Sequence, residues 1–201
     1  MNIEFKNVGK KFGKEEVLKN FNYSFEDGKA SFLMGPSGIG KSTIVRIILG
    51  LEKDYSGQVK GLEKRKISAV FQDDSLCKNL SVFLNIKIVS DNISQKEIVK
   101  KLSEMGLEDL ANKRVRELSG GQKRRVAILR ALSVDFDTLV MDEPFKGLDS
   151  ENKKKVMDIV IEASKGKSLI IVSHDIEEYR YFKRAREINL LDMKEYKNLD
   201  I

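Results

Sequence analysis

Apolar and polar positions change period several times along the chain. "IEFKNV" (residues 3–8), "FNYSFE" (21–26) and "ASFLMG" (30–35) alternate or run apolar between turn residues, which predicts strands. "STIVRIIL" then carries the continuous apolar pattern of a buried helix. It predicts a helix from Lys41 to Leu49, closed by Gly50. "KISAVFQ" (66–72) returns to strand texture. From about Asp74 to Leu118 the β-branched runs give way to helical periodicity, clearest in "SQKEIVKKLSEMGL" (94–107). Strands are predicted again at "TLVMDE" (138–143), "SLIIVSH" (168–174) and "REINLLD" (186–192), with a helix over Ser150–Lys165. Strand–helix–strand order implies a parallel sheet buried on both faces. The chain therefore reads as a single α/β domain. Residues 1–73 and 119–201 form its core, and 74–118 form an inserted helical subdomain.

Composition narrows the class. The chain has 201 residues, 41% hydrophobic and 34% charged, enough to bury a core and stay in solution. Its longest apolar runs, such as Leu169 to Val172, are strand-sized, far short of the ~18 residues of a membrane span. The N-terminal "MNIEFKNVGKK" has no apolar core of the kind a secretory signal needs. The single cysteine, Cys77, has no internal disulfide partner and fits a reducing compartment. The net charge is +6, but the basic clusters Lys64-Arg65-Lys66, Lys123-Arg124-Arg125 and Lys153-Lys154-Lys155 are scattered and interleaved with acids. They read as solvated helix faces, not as a nucleic-acid surface.

Candidate chemistry begins at "GPSGIGKST" (35–43). Gly35, Gly40, Lys41 and Ser42 fit G-x-x-x-x-G-K-[ST], after an apolar strand and before a helix, which is the context the pattern needs. Glycines let backbone N–H groups turn inward around phosphate oxygens, and a helix N-terminus adds partial positive charge. Lys41 would reach the β and γ phosphates and the Ser42 hydroxyl would ligate Mg²⁺. Asp142 and Glu143 end a predicted buried strand, where open parallel sheets bind ligands. Asp142 can then face the same metal as Ser42, and Glu143 can polarise a water beside the γ-phosphate. Gln72 and His174 also end strands; alone, neither is informative. A second glycine pair, in "LSGGQKRRVAILRAL" (118–132), opens another helix and raises the question of a second anion cradle.

Taken in order, these segments resemble the ATP-binding cassette (ABC) transporter ATPase subunits. The resemblance runs over nearly the whole chain: "GPSGIGKST" as Walker A, Gln72 as the Q-loop glutamine, "LSGGQ" as the signature, "LVMDEP" as Walker B, "GLD" (147–149) as the D-loop and His174 as the switch histidine. It implies an α/β P-loop NTPase core with a mostly parallel sheet, an N-terminal antiparallel β subdomain and an inserted helical subdomain. It implies an Mg-dependent ATP hydrolase, with Glu143, His174, Gln72 and Lys41 catalytic and Ser42, Gln72 and Asp142 around the metal. Gly35, Pro36, Ser37, Gly38, Ile39, Gly40, Lys41, Ser42 and Thr43 would wrap the phosphates. Phe12 would stack on adenine in place of the commoner tyrosine, against a competing reading as core packing, and Val17 would pad the base. In this family two cassettes pair head to tail, so Ser119, Gly120, Gly121, Gln122 and Asp149 would act on the nucleotide of the second cassette. That resolves the second cradle. Lys146 and Leu129 depart from residues frequent in relatives, which touches local packing only.

The resemblance also implies partners outside the chain: a second cassette, as a homodimer, and separate membrane permease subunits that would dock near 73–86, with Leu76, Leu80, Val82, Phe83 and Leu84 as apolar contacts or as subdomain core. The element order looks most like small bacterial importer cassettes, which adds an extracellular substrate-binding protein and places the chain on the cytoplasmic face of the membrane. An extra C-terminal regulatory domain, common in the family, is not expected. The alternative is a soluble ABC-type ATPase acting on nucleic acid or ribosomes. The short Walker A-to-signature gap and the single cassette argue against it, and no nucleic-acid partner is expected. A nucleotide switch that does not hydrolyse is disfavoured by Glu143.

Overall fold

The computed structural model describes residues 1–90, 93–185 and 188–198. The chain divides into two compact units. One is Met1–Ala69, Phe136–Glu143 and Ser164–Ile201; the other is Val70–Asp135 and Pro144–Ala163. The second takes in the 74–118 segment and extends beyond it on both sides.

The first unit holds two sheets. In the antiparallel one, β1 (Ile3–Phe12) lies between β2 (Glu15–Phe25) and β4 (Ser56–Lys60). The other runs β5 (Ile67–Val70), β6 (Thr138–Asp142), β7 (Ser168–Val172), β3 (Ala30–Met34), β8 (Ile188–Asp192). There, β3 pairs in parallel with β7 and β8, and β6 pairs in parallel with β7. Every residue of β6 and β7 is buried, as the unbroken apolar runs require of strands covered on both faces. Leu33 packs with Ile44, Ile47 and Ile48 of α1 (Lys41–Ile48) and with Phe5 and Phe21 of the antiparallel sheet. Its neighbour Phe32 points the other way, against Tyr179 and Phe182 of α6 (Ile176–Ala185), as the pleat dictates. A short α7 (Met193–Asn198) places the fully buried Met193 in the α1 cluster.

In this register Asp142 lies opposite Val172, so β6 and β7 end side by side. The expected strand at 186–192 is present as β8 from Ile188; Arg186 and Glu187 lie outside the described residues.

The second unit contains α2 (Val82–Lys87), α3 (Gln95–Glu104), α4 (Gly120–Leu132) and α5 (Ser150–Ala163). Helices α2 and α5 pack on α4, whose Val126, Ile128, Leu129 and Ala131 are buried. Ser81 and Ser94 accept backbone N–H bonds at the starts of α2 and α3, which explains where those helices begin. Asn85 is fully buried. Its side chain accepts from the Cys77 N–H (2.8 Å) and donates to the Cys77 and Ser81 carbonyls (3.0 and 2.9 Å), fixing the loop before α2. Val82 is buried and belongs to the core, whereas Leu84 is 43% exposed.

Candidate functional site

The loop of residues 35–40 joins β3 to α1. Gly40 occupies the N-cap of α1 at φ 111°, a conformation open to glycine. A Cβ there would lie 2.8 Å from Leu18 Cδ2 and 3.2 Å from the Val17 carbonyl, so the β1–β2 hairpin presses directly on the loop. No side chain caps α1, and its first turn carries no acid. That leaves the N-terminal end of its dipole for an anion.

Lys41 is 8% exposed. Its ammonium donates to the carbonyls of Gly35 (2.7 Å) and Pro36 (2.8 Å), arching back over the loop it follows. Burial pushes its pKa down, while the Glu143 and Asp142 carboxylates pull it up. The hydroxyl of Ser42, on the next residue, donates to Asp142 Oδ2 at 3.1 Å. So residues a hundred positions apart meet as expected, because α1 starts where β3 ends and β6 ends nearby in the same sheet.

Glu143 follows β6 at φ 45°, a left-handed backbone that few non-glycine residues adopt. Its N–H donates to the Val172 carbonyl at 2.9 Å, tying it to the end of β7. Its Oε1 lies 3.1 Å from His174 Nδ1. His174 keeps 64% of its side chain exposed against 18% for Glu143, so the imidazole can still reach a ligand. The His174 segment is held by Ser173, whose buried hydroxyl donates to the buried Glu178 carboxylate at 2.6 Å and accepts from the Asp175 N–H. Lys41, Ser42, Asp142, Glu143 and His174 are thereby gathered at one sheet edge.

Phe12, at the end of β1, is 46% exposed, which removes the reading of it as core packing. Val17 is buried beside Gly40.

The other candidates belong to the second unit. Ser119 is the N-cap of α4 in a full capping box: its hydroxyl accepts from the Gln122 N–H and Gln122 Oε1 accepts from the Ser119 N–H. Gly120 meets nothing within reach of a Cβ, and a Cβ on Gly121 would lie 3.3 Å from the Gly147 carbonyl. Asp149 accepts from the Asn152 backbone N–H (3.0 Å) and from its side-chain amide (2.7 Å), and these bonds lower its pKa. Gln72 lies exposed past β5, and its carbonyl accepts from Arg124 Nη2 at 2.5 Å.

Arg124 corrects one expectation. It is 7% exposed and also donates to the Phe71 carbonyl at 2.6 Å, so α4 is bonded to the Gln72 segment. Arg125 donates to Met105 O and Asn152 Oδ1. Lys123-Arg124-Arg125 is therefore not a solvated face. The signal that could have singled out Arg124 was its position in the apolar stripe of α4, three and four residues before the buried Ala127 and Ile128. Nor is Arg65 solvated: its guanidinium donates to Asp27 (2.9 Å), Thr138 (2.8 Å) and the Gly61 carbonyl (3.0 Å).

Among the described residues, no cluster of three or more acidic, histidine or cysteine side chains could hold a metal. Ser42 and Asp142 supply two oxygen donors, which suits a hard cation that takes its remaining ligands from phosphate and water.

Residues 18–146 match the family model described as ABC transporter. The chain is 37% identical over 193 residues to the spermidine/putrescine import ATP-binding protein PotA of Mycoplasma capricolum, covering 88% of this chain and 55% of that one. It is 37% identical over 175 residues to the aliphatic sulfonates import ATP-binding protein SsuB 2 of Pseudomonas syringae, covering 86% and 75%. The chain thus spans about half the length of the PotA relatives it matches. A dimeric ATP-binding cassette solved in a post-hydrolysis state with ADP and Pi superposes with a TM-score of 0.81 at 33% identity, covering 95% of this chain and 94% of the other.

Proposed function

The chain belongs to the ABC transporter family, and we propose on that premise that it is the ATP-hydrolysing subunit of a membrane importer. The observation that carries the reading is the meeting of Ser42 with Asp142 and of Glu143 with His174 beside Lys41. The import direction is supported by the names of its relatives, and the soluble, nucleic-acid-directed alternative is not favoured by them.

The loop of residues 35–43 binds the triphosphate of ATP through backbone N–H groups. Lys41 exchanges the Gly35 and Pro36 carbonyls for β and γ phosphate oxygens. Ser42 and Asp142 would hold Mg²⁺, which neutralises phosphate charge when bound. Glu143 orients the attacking water and accepts its proton as the water oxygen bonds to the γ-phosphorus and the bond to ADP breaks. His174 holds the Glu143 carboxylate and donates toward the γ-phosphate. Phe12 and Val17 receive the adenine.

The second half of the site comes from a second copy paired head to tail. Its Ser119, Gly120, Gly121 and Gln122 present the N-terminus of α4 to the γ-phosphate, and its Asp149 lies across the interface. No helix among the described residues is long and apolar enough to cross a membrane. On the strength of the relatives named as import ATP-binding proteins, translocation is assigned to separate permease subunits, with this chain at the cytoplasmic face and a substrate-binding protein delivering cargo outside.

The test is Glu143→Gln. It should bind ATP, lower turnover by about 100-fold or more, and accumulate as a dimer in MgATP by size-exclusion light scattering. A variant that hydrolyses at the parental rate, or stays monomeric with saturating MgATP, sinks the proposal.

A further inference from the structure

We propose that Lys10 is a positioning and specificity-determining residue for the nucleotide base. It holds the Phe12 ring from behind and leaves one electron-depleted face outward for a purine. The inference rests on the reading of Phe12 as the base platform.

Lys10 and Phe12 are two apart on β1 and share a face of the strand. The Lys10 ammonium lies 4.8 Å from the centroid of the Phe12 ring. Their exposures are opposite: 6% for Lys10 and 46% for Phe12. A buried ammonium directly behind an exposed ring is an unusual expense for a strand end, and the structure compensates it fully. The Lys10 Nζ has three acceptors, Glu52 Oε1 (3.1 Å), Asp54 Oδ2 (3.2 Å) and the Asp54 carbonyl (2.5 Å), which matches its three protons. The loop that provides them is braced in turn, because the Asp54 N–H donates to Glu52 Oε1 at 3.0 Å. Burial acts to lower the Lys10 pKa, but the bonds to Glu52 and Asp54 and their charges outweigh it and raise it. The ammonium stays charged throughout the physiological range.

Two consequences follow for the ring. A cation on one face draws π density toward itself, so the opposite face becomes a better partner for an electron-rich purine. With one face taken, the ring also offers a single orientation, which lowers the entropic cost of stacking. A phenylalanine without a phenolic hydroxyl has no polar atom of its own with which to fix that orientation; the lysine does it instead. The platform is set relative to the phosphate loop by the same hairpin: Phe12 pairs with Glu15 and Lys11 with Glu16, and Val17 packs on Gly40.

The test compares ATP with inorganic tripolyphosphate, both with magnesium, by titration calorimetry. Lys10→Met should weaken ATP binding roughly three- to tenfold and leave tripolyphosphate affinity unchanged. Lys10→Arg should keep most of the ATP affinity. In a Phe12→Ala background, Lys10→Met should have no further effect on ATP. Should Lys10→Met fail to fold, Lys10→Gln carries the same comparison. Unchanged ATP affinity in the neutral variant, with Phe12→Ala still impaired, overturns the role of Lys10 and spares that of Phe12. Equal loss for both ligands means general loosening and also overturns it. If Phe12→Ala leaves the preference for ATP over tripolyphosphate intact, the platform reading itself fails, and this inference with it.

Discussion

Lys41 and Lys10 are both buried, and they hold their ammonium groups in opposite ways. Lys41 donates to two neutral carbonyls of its own loop, with Asp142 and Glu143 acting only through space. Such bonds are exchangeable for stronger, charge-assisted ones to phosphate. Lys10 sits among two carboxylates and a carbonyl and has no reason to leave. The Lys10 hydrogen bond is the largest influence on Glu52, whose pKa is lowered. Since the folded value lies below the unfolded one, the pair stabilises the fold above the ordinary carboxylate range, and that contribution disappears as pH falls through the folded value. A carboxyl-carbon NMR titration should therefore find Glu52 titrating below its ordinary value of about 4.3, and Lys10→Met should return it toward that value. An unperturbed Glu52 in the parent protein would mean that the clamp is not formed in solution.

At the scale of elements, the legible ones were those whose environment is uniform. The strands β6 and β7 and the helix α1 are buried over most of their length, so their apolar runs sufficed. The hairpin β1–β2 reaches much further than "IEFKNV" and "FNYSFE" suggest. Asn7 and Asn20 adopt positive φ, and the register shifts between Phe5 and Val8, which breaks the alternation that sequence reading depends on. Strand β4 offers a single apolar residue, Val59, and an exposed surface, so it carries no hydrophobic signal. In α6 the buried residues are Phe182 and a glutamate, Glu178, with Tyr179 half-buried, so the inward face carries little apolar signal. Of the candidate site, the meeting of Ser42 with Asp142 and of Glu143 with His174 was legible because its chemistry needs particular side chains at particular spacings. Lys10, Arg124 and Glu178 were not, because each acts on another residue's position. The loop before α2 poses the same problem in Asn85. Asn85→Ala should destabilise the protein by about 2–3 kcal/mol in urea unfolding, since it strands the Cys77 N–H and two carbonyls. A loss below about 0.5 kcal/mol would show that water replaces it.

At the scale of the whole molecule, the proposed function divides the site into two halves carried by different copies, and that division can be tested by mixing. Lys41→Ala removes the phosphate-binding half and keeps the signature. Ser119→Arg blocks the signature and keeps the phosphate loop. Each variant alone should be inactive. A mixed dimer joins the intact loop of one to the intact signature of the other, so an equimolar mixture should regain roughly a quarter of the parental ATPase rate if half the dimers are mixed and each has one working site. No recovery in a mixture that demonstrably exchanges subunits would place both halves in one chain. A last consequence concerns the backbone at Glu143, held at φ 45° where a side chain costs on the order of 1 kcal/mol. A directed-evolution campaign that rewards heat tolerance alone would drift to glycine at this position and, under the proposed mechanism, silently discard turnover. Robustness and work pull apart here at a single torsion angle.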